Sequence, residues 1–127
     1  MKLMDPSTEN AVRNFLARIP TDVGVEHAIL FGSRARGENR PDSEADLALI
    51  VSGPDDVCQL TWLFGGFVFE VYIETGIMIQ PVVISLDDWL HPERFARPSF
   101  LRNVAQEGVT LTTVRSADLR YPARSPA

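Results

Sequence analysis

Two apolar runs of strand length, residues 27–31 and 45–51, lie on either side of a polar segment, and together they constrain the fold more than any other feature. The first run stops at Gly32, and a Ser-Gly-Pro turn follows the second. Short apolar runs bounded by turn residues are typical of buried strands. The segment between them, residues 33–43, contains glycine, asparagine and proline and is predicted to be a loop. The sequence therefore predicts two buried strands joined by a long polar connection.

Helices and a third strand are predicted around this pair. Asp5 and Pro6 fit an N-cap followed by proline at the first helical position, and an apolar face continues to Ile19 at helical spacing. A third apolar run, residues 77–84, contains Pro81, which predicts an edge strand or a bulge because proline cannot donate to a sheet ladder. The remaining predicted elements are helices at 86–90 and 99–106, the latter between Ser99 as N-cap and Gly108, and a strand at 109–111. This order favours an α+β (α/β-like) domain with a small mixed β-sheet flanked by helices.

The segment 55–74 has two interpretations. Its acidic start suits a helix, but Gly65 and Gly66 each weaken a helix by up to about 1 kcal/mol, so propensity alone splits the segment there. It is also apolar almost all the way round, and a second chain could supply the missing cover, which makes a homodimer through residues 57–73 one expectation. Cys58 is expected to be an inert small hydrophobe. The aromatic residues of the segment are interpreted most simply as core, with an interface as the alternative: Trp62, Phe64, Phe67, Phe69 and Tyr72.

Composition limits the class of protein. The chain has 127 residues, of which 45% are hydrophobic and 23% charged, as expected for one folded domain, placed here at residues 1–114 with a flexible tail at 115–127. The net charge of −5 argues against general binding to nucleic acid. Cys58 is the single cysteine, so no intrachain disulfide can form, and no apolar run approaches the roughly 20 residues that span a bilayer. We therefore expect a cytoplasmic protein without membrane contact.

Two acidic residues at the start of the second strand predict a binding site. Side chains alternate along a strand, so Glu44 and Asp46 share one face. Unpaired carboxylates are poor core residues, whereas Mg²⁺ prefers oxygen ligands and is usually shared with substrate phosphates. Gly32 and Ser33 directly follow the first strand, where backbone N–H groups and a hydroxyl can approach a phosphate closely. These residues favour a nucleoside triphosphate with Mg²⁺ (or Mn²⁺), and a charged hairpin is the alternative.

The arginines of the connection also have two interpretations. Arg34 and Arg36 suit charge-assisted hydrogen bonds to phosphate, and they suit ion pairs with Glu38, Asp42 or Glu44 equally well. Arg40 is expected to be a solvated loop charge. Asp42 and Ser43 are expected to cap the turn into the second strand.

The combination of Gly32-Ser33, ten further residues and Glu44-Ala45-Asp46 resembles the signature of the DNA-polymerase-β-like nucleotidyltransferase superfamily. The stretch SRARGENRPDSEADLAL is similar in particular to the minimal nucleotidyltransferases, small domains often paired with a helical HEPN-type toxin. The resemblance implies a polymerase-β-type core and ATP as substrate. It implies nucleotide binding by Gly32 and Ser33, with Glu44 and Asp46 as metal-binding and catalytic residues. It also implies that residues 55–74 are mostly helical.

Two positions depart from the family pattern. The first acidic position is usually aspartate, whereas Glu44 is longer by one methylene group. Active members usually carry a third carboxylate on a later strand, and the central polar residue of the matching run is Gln80, whose amide cannot act as a general base near neutral pH. Acidic residues that could substitute for it are Glu70, Glu74, Asp87 and Asp88. The leading hypothesis is AMP transfer from ATP to a hydroxyl acceptor, plausibly on a partner toxin, and the alternative is a catalytically impaired antitoxin module that acts by complex formation.

Overall fold

The computed structural model describes residues 4–53 and 55–111, so the predicted tail at 115–127 lies outside the described residues. The helices and strands run in the order α1 Pro6–Ala17, β1 Val25–Phe31, α2 Ser33–Arg36, β2 Ala45–Val51, α3 Val57–Thr75, β3 Ile79–Ser85, α4 Leu86–Leu90, α5 Pro98–Glu107 and β4 Val109–Leu111. Single turns of 3-10 helix occur at Thr21–Val23 and Pro92–Arg94. No helix within the described ranges is both long enough and apolar enough to cross a membrane.

The strands form one mixed sheet in the order β3-β2-β1-β4. β1 pairs antiparallel with both β2 and β4, whereas β2 and β3 run parallel. The predicted edge position of Pro81 is confirmed, because β3 is an edge strand and Pro81 pairs with Leu47 of the central strand. The four strands and the helices around them confirm the predicted α+β class.

Helices cover both faces of the sheet, and the alternation along β2 sends side chains into two cores. Ala45, Leu47 and Leu49 are fully buried in the core that contains α1 and α3. Ala48 and Ile50 are fully buried in the second core. The partners of that second core come from α5 and the end of β3: Leu101, Val104 and Ile84. Because both faces are covered, β2 is apolar without interruption from Leu47 to Val51.

Helix α1 begins as the sequence predicts and is tied to α3 at its other end. The Asp5 carboxylate accepts a hydrogen bond from the Thr8 N–H at 2.7 Å, and Pro6 occupies the first helical position. Near the C-terminus of the helix, Arg18 donates to Glu70 and Glu74 of α3, each at 2.6 Å. The position of α3 on the sheet is therefore supported by ion pairs as well as by apolar contacts.

Segment 57–75 is one helix, so the family-based expectation is confirmed and the break at the glycines that propensity favours is wrong. Asp56 and Gln59 form a reciprocal capping box at its start. Gly76 ends it in the left-handed conformation, with φ of 76°. Between these signals, burial of one face outweighs the cost of the two mid-helix glycines.

The outer face of α3 corrects the prediction that its aromatic residues are core. Phe64 is fully buried, but Trp62 is 85% and Phe69 66% exposed. Tyr72 is 44% exposed, and Cys58 is also exposed rather than buried in an apolar environment. The helix has one core-facing side and one apolar side without cover from the described residues.

Helix α5 differs from the prediction at its start only. It begins at Pro98 with Arg97 at the N-cap position, so Ser99 lies inside the helix and the predicted cap is wrong. Proline suits the first helical turn because it has no N–H to leave unpaired. The predicted end at Gly108 and the strand at 109–111 are confirmed.

Candidate active site

The first strand ends at Gly32, and the backbone of this residue lies against the Asp46 carboxylate. Gly32 has φ of 81° and ψ of −161°, a conformation that only glycine adopts readily. A Cβ atom at this position would lie 2.5 Å from Asp46 Oδ2. Phe31 pairs with Asp46 in the antiparallel register, which brings the end of β1 to the start of β2. The glycine of the sequence signature therefore leaves space for the acid of the same signature.

The two acids form a negatively charged site without a cationic partner among the described residues. Ala45 and Leu47 are buried against α1 and α3, so Asp46 lies on the opposite face of the sheet. Burial raises the pKa of Asp46, and the nearby charge of Glu44 raises it further. Neither carboxylate forms an ion pair with any residue that the structure describes. A bound cation would relieve both effects.

Gln80 lies beside Asp46 on the neighbouring strand. The parallel register of β2 and β3 pairs Asp46 with Gln80, so their side chains share one face of the sheet. Gln80 is exposed. Its amide oxygen can act as a neutral metal ligand or hydrogen-bond acceptor, but the amide does not take up a proton near neutral pH. The position predicted for a third site residue is thus adjacent to the acidic pair, and an uncharged side chain occupies it.

The other acids considered for this role lie elsewhere. Glu70 and Glu74 are bound by Arg18 on the far side of the sheet, where α1 meets α3. Asp87 pairs with Arg94 at 3.3 Å. Within the described ranges, no group of three His, Cys, Asp or Glu residues is arranged to hold a metal ion. Asp88 lies on α4, after the end of β3 opposite Gln80, so among the described residues the acidic site consists of Glu44 and Asp46.

The connection after Gly32 begins with a helix, which corrects the prediction of a continuous loop. Ser33–Arg36 forms a single helical turn that Gly37 ends with φ of 70°. The Ser33 carbonyl accepts a hydrogen bond from the Glu38 N–H at 2.9 Å. Its hydroxyl forms no hydrogen bond with the described residues, so it remains available to a ligand.

Arg34 is buried, and its environment does not fit the predicted contact with phosphate. Its side chain is 3% exposed. Its guanidinium nitrogens donate to protein oxygens: Nε to Ser43 O at 2.9 Å, Nη1 to Thr8 Oγ1 at 2.8 Å, and Nη2 to Pro41 O at 3.0 Å. These bonds connect the polar loop to the first turn of α1. Arg34 therefore positions the loop that precedes Glu44 rather than offering a free cation to a ligand.

The remaining polar residues of the loop behave as surface groups. Arg36 is exposed and donates to Glu38 at 2.8 Å, the ion pair that the sequence offers as the alternative to phosphate binding. That hydrogen bond raises the pKa of Arg36. Arg40 is exposed, and its N–H donates to the Ser43 hydroxyl at 2.9 Å, as expected for a capping serine.

Sequence reasoning missed the contribution of α1 to this loop. Thr8 is fully buried and accepts from Arg34, while the Asp5 carboxylate accepts from Asn39 at 3.3 Å. The pKa of Asp5 is lowered, chiefly by its hydrogen bond from the Thr8 N–H. The capping pattern at Asp5 predicts the helix start, but no local signal links Thr8 to a residue 26 positions later.

A mixed sheet with a Gly-Ser turn after one strand and an acidic pair on the next defines a domain of the nucleotidyltransferase type. The family model for polymerase beta nucleotidyltransferases matches residues 14–113, which is most of the chain. The chain belongs to this family, and the predicted polymerase-β-like superfamily and nucleotidyltransferase type are confirmed. A search of curated proteins found no match.

Proposed function

We propose that this nucleotidyltransferase domain transfers AMP from ATP, with Mg²⁺ or Mn²⁺, to a hydroxyl acceptor. The observation that carries the proposal is the Asp46 carboxylate, which lies against the Gly32 backbone and beside Glu44 without a cationic partner among the described residues. Two adjacent carboxylates with vacant oxygen positions suit a hard divalent cation shared with substrate phosphates.

Each residue of the site has a role in this proposal. Glu44 and Asp46 hold the metal, which when bound neutralises charge on the triphosphate. The Gly32 backbone and the Ser33 hydroxyl hold the phosphates, and Arg36 can join them if it leaves Glu38. The acceptor oxygen bonds to the α-phosphorus as the bond to pyrophosphate breaks, and the hydroxyl proton passes to solvent because Gln80 cannot accept it.

The resemblance to minimal nucleotidyltransferases supports one class of acceptor, a hydroxyl on a helical HEPN-type toxin. The chain would then be an antitoxin that modifies its partner.

One observation favours a second candidate function, that of a binding module without transfer. The register places Gln80, rather than a carboxylate, directly beside Asp46. A site with two carboxylates can bind a nucleotide and metal yet lack the group that would take the acceptor proton. In that case the chain acts as an antitoxin by forming a complex.

Calorimetric titration with ATP and Mg²⁺ tests the site. Wild type should bind, Asp46→Asn should lose binding, and Asp42→Asn should match wild type because Asp42 is an exposed carboxylate in the loop turn. Gln80→Asp should bind the metal more tightly if residue 80 faces it. Binding that survives in Asp46→Asn would contradict the site assignment.

Transfer separates the two candidate functions. The chain is incubated with ATP labelled at the α-phosphate, Mg²⁺ and a candidate partner protein. Label that reaches the partner with wild type but not with Asp46→Asn supports transfer. Nucleotide binding without label transfer, together with a stable complex, supports the binding module.

A further inference from the structure

The outer face of α3 carries a row of exposed residues that the proposed active site does not use. The row, called here the outer seam, consists of Trp62, Gly66, Phe69 and Ile73. At about 100° per residue, these four positions fall within roughly 60° of arc on the side opposite the buried Leu60, Phe64 and Val71. Trp62, Phe69 and Ile73 are 85%, 66% and 67% exposed.

The exposed apolar area of the outer seam is a substantial part of what a stable interface buries. Because a whole aromatic side chain presents about 150–250 Å², Trp62 and Phe69 alone expose roughly 300 Å². Ile73 raises the exposed apolar area of the outer seam to the order of 450 Å², which is within the roughly 300–600 Å² of the largest apolar patch on a typical monomer. A standard interface buries about 800 Å² per partner. Pairing of the outer seam therefore supplies roughly half of the area that each partner contributes to a standard interface.

The outer seam is complementary to the seam of a second copy of α3 that runs antiparallel to it. A two-fold axis between positions 67 and 68 exchanges Trp62 with Ile73 and Phe69 with Gly66. An antiparallel pair therefore sets each Phe69 against the Gly66 of the second copy, where a Cβ atom would find nothing within 4 Å in the single chain. The 4-3-4 spacing of the seam is that of facing positions in paired helices.

The charges on α3 also allow a second copy of the chain to pack against the outer seam. No seam residue is charged, and the acids on the same helix, Glu70 and Glu74, are both bound by Arg18 of their own chain. Two copies therefore bring apolar surface together without opposing like charges. We propose that the chain forms a two-fold dimer through antiparallel contact of α3 along the outer seam.

Mass measurement tests the dimer. Sedimentation or light scattering of the full chain should give twice 14.1 kDa, falling toward 14.1 kDa on dilution. Phe69→Glu should weaken self-association at least about tenfold, because it buries a charge in the seam, and its far-UV spectrum should stay unchanged. The matched control Asn103→Glu, an exposed position on α5, should still dimerise. The proposal is overturned if wild type stays at 14.1 kDa at the highest concentration reached, or if both variants weaken self-association equally. A wild type that stays monomeric overturns it even if the outer seam binds a different protein.

Cross-linking tests the direction of the helices. In the antiparallel pair the two Cys58 residues are roughly 28 Å apart along the axis, so wild type should not form a disulfide-linked dimer on oxidation. Gly66→Cys in a Cys58→Ser background should do so, because its two copies lie only about 4–5 Å apart along the axis. Efficient linkage through native Cys58 would indicate a parallel pair and would refute this geometry.

Discussion

Replacement of Arg34 by alanine tests whether this residue belongs to the structure of the loop or to the ligand. The guanidinium is 3% exposed, and its three nitrogens donate to oxygens of Ser43, Thr8 and Pro41 within 3.0 Å. Alanine would remove all of these bonds at once. The fully buried Thr8 hydroxyl and two loop carbonyls would then need new partners.

The expected cost of Arg34→Ala is about 3–5 kcal/mol. A hydrogen bond from a charged donor contributes about 1.5–3 kcal/mol, but bonds that share one side chain are not additive, and removal of one partner from a buried charged cluster usually costs about 3–5 kcal/mol. Arg34→Lys keeps the charge but lacks the planar set of donors, so it should lose a large part of the same free energy.

Urea unfolding followed by circular dichroism measures this effect as a lower midpoint at unchanged slope. Arg36→Ala is the matched control, because Arg36 lies on the same short helix, is exposed and pairs at the surface, so its midpoint should stay near wild type. If Arg34→Ala and Arg36→Ala unfold at the same urea concentration, Arg34 does not hold the loop, and the interpretation of its hydrogen bonds is refuted.

Three further changes test the site and α3. Gly32→Ala should cost about 1–3 kcal/mol in urea unfolding and should weaken Mg²⁺-ATP binding in calorimetry, because the added Cβ displaces the Asp46 carboxylate. Gly76→Ala, also at positive φ but with nothing within 4 Å of the added Cβ, should affect stability alone. Equal effects of the two substitutions on binding would contradict the contact between Gly32 and Asp46. Gly65→Ala should raise the free energy of unfolding by about 0.5–1 kcal/mol in urea, since the position is helical and exposed and a Cβ atom there meets nothing within 4 Å. A lower free energy of unfolding would mean that a neighbouring group occupies the position of the added methyl group. The pKa of Asp46 is raised on folding, so ionisation of this carboxyl group disfavours the folded state. Asp46→Asn should therefore have a higher urea midpoint than wild type at pH 7, and the difference should shrink as the pH falls toward about 4. A lower midpoint for Asp46→Asn at pH 7 would show that the ionised carboxylate does not destabilise the fold.

The strands and the acidic pair follow from local patterns, and for that reason the sequence predicts them well. Residues 47–51 are apolar without interruption because β2 is covered on both faces there, and the observed strand, Ala45–Val51, has the predicted bounds. Pro81 predicts an edge strand or a bulge because proline has no N–H to donate to a neighbouring strand, and β3 is an edge strand. These features depend on few residues that are close in sequence.

Arg34 and the outer face of α3 follow from contacts that no local pattern contains. Whether Arg34 meets a phosphate or a protein oxygen depends on Thr8, which folding brings to it from 26 positions earlier. Helix α3 has no polar stripe to mark its solvent side, so periodicity could not indicate that Trp62 would be exposed while Phe64 is buried. In both cases the missing information is the position of α1 and α3 on the sheet.

Two places in the described part of the chain depart from local consistency, and each lies at a proposed binding surface. At the site, Gly32 takes up a strained conformation and Asp46 is partly buried beside a like charge, although an asparagine would avoid the charge. On α3, Gly66 weakens the helix in its middle and Trp62 lies almost fully in solvent. Natural sequences usually accept such local costs where function requires them. We propose that a cation with a triphosphate offsets the first cost and that a second copy of α3 offsets the second. The two proposals can fail independently, because loss of the dimer in Phe69→Glu leaves Asp46 and Gly32 unchanged.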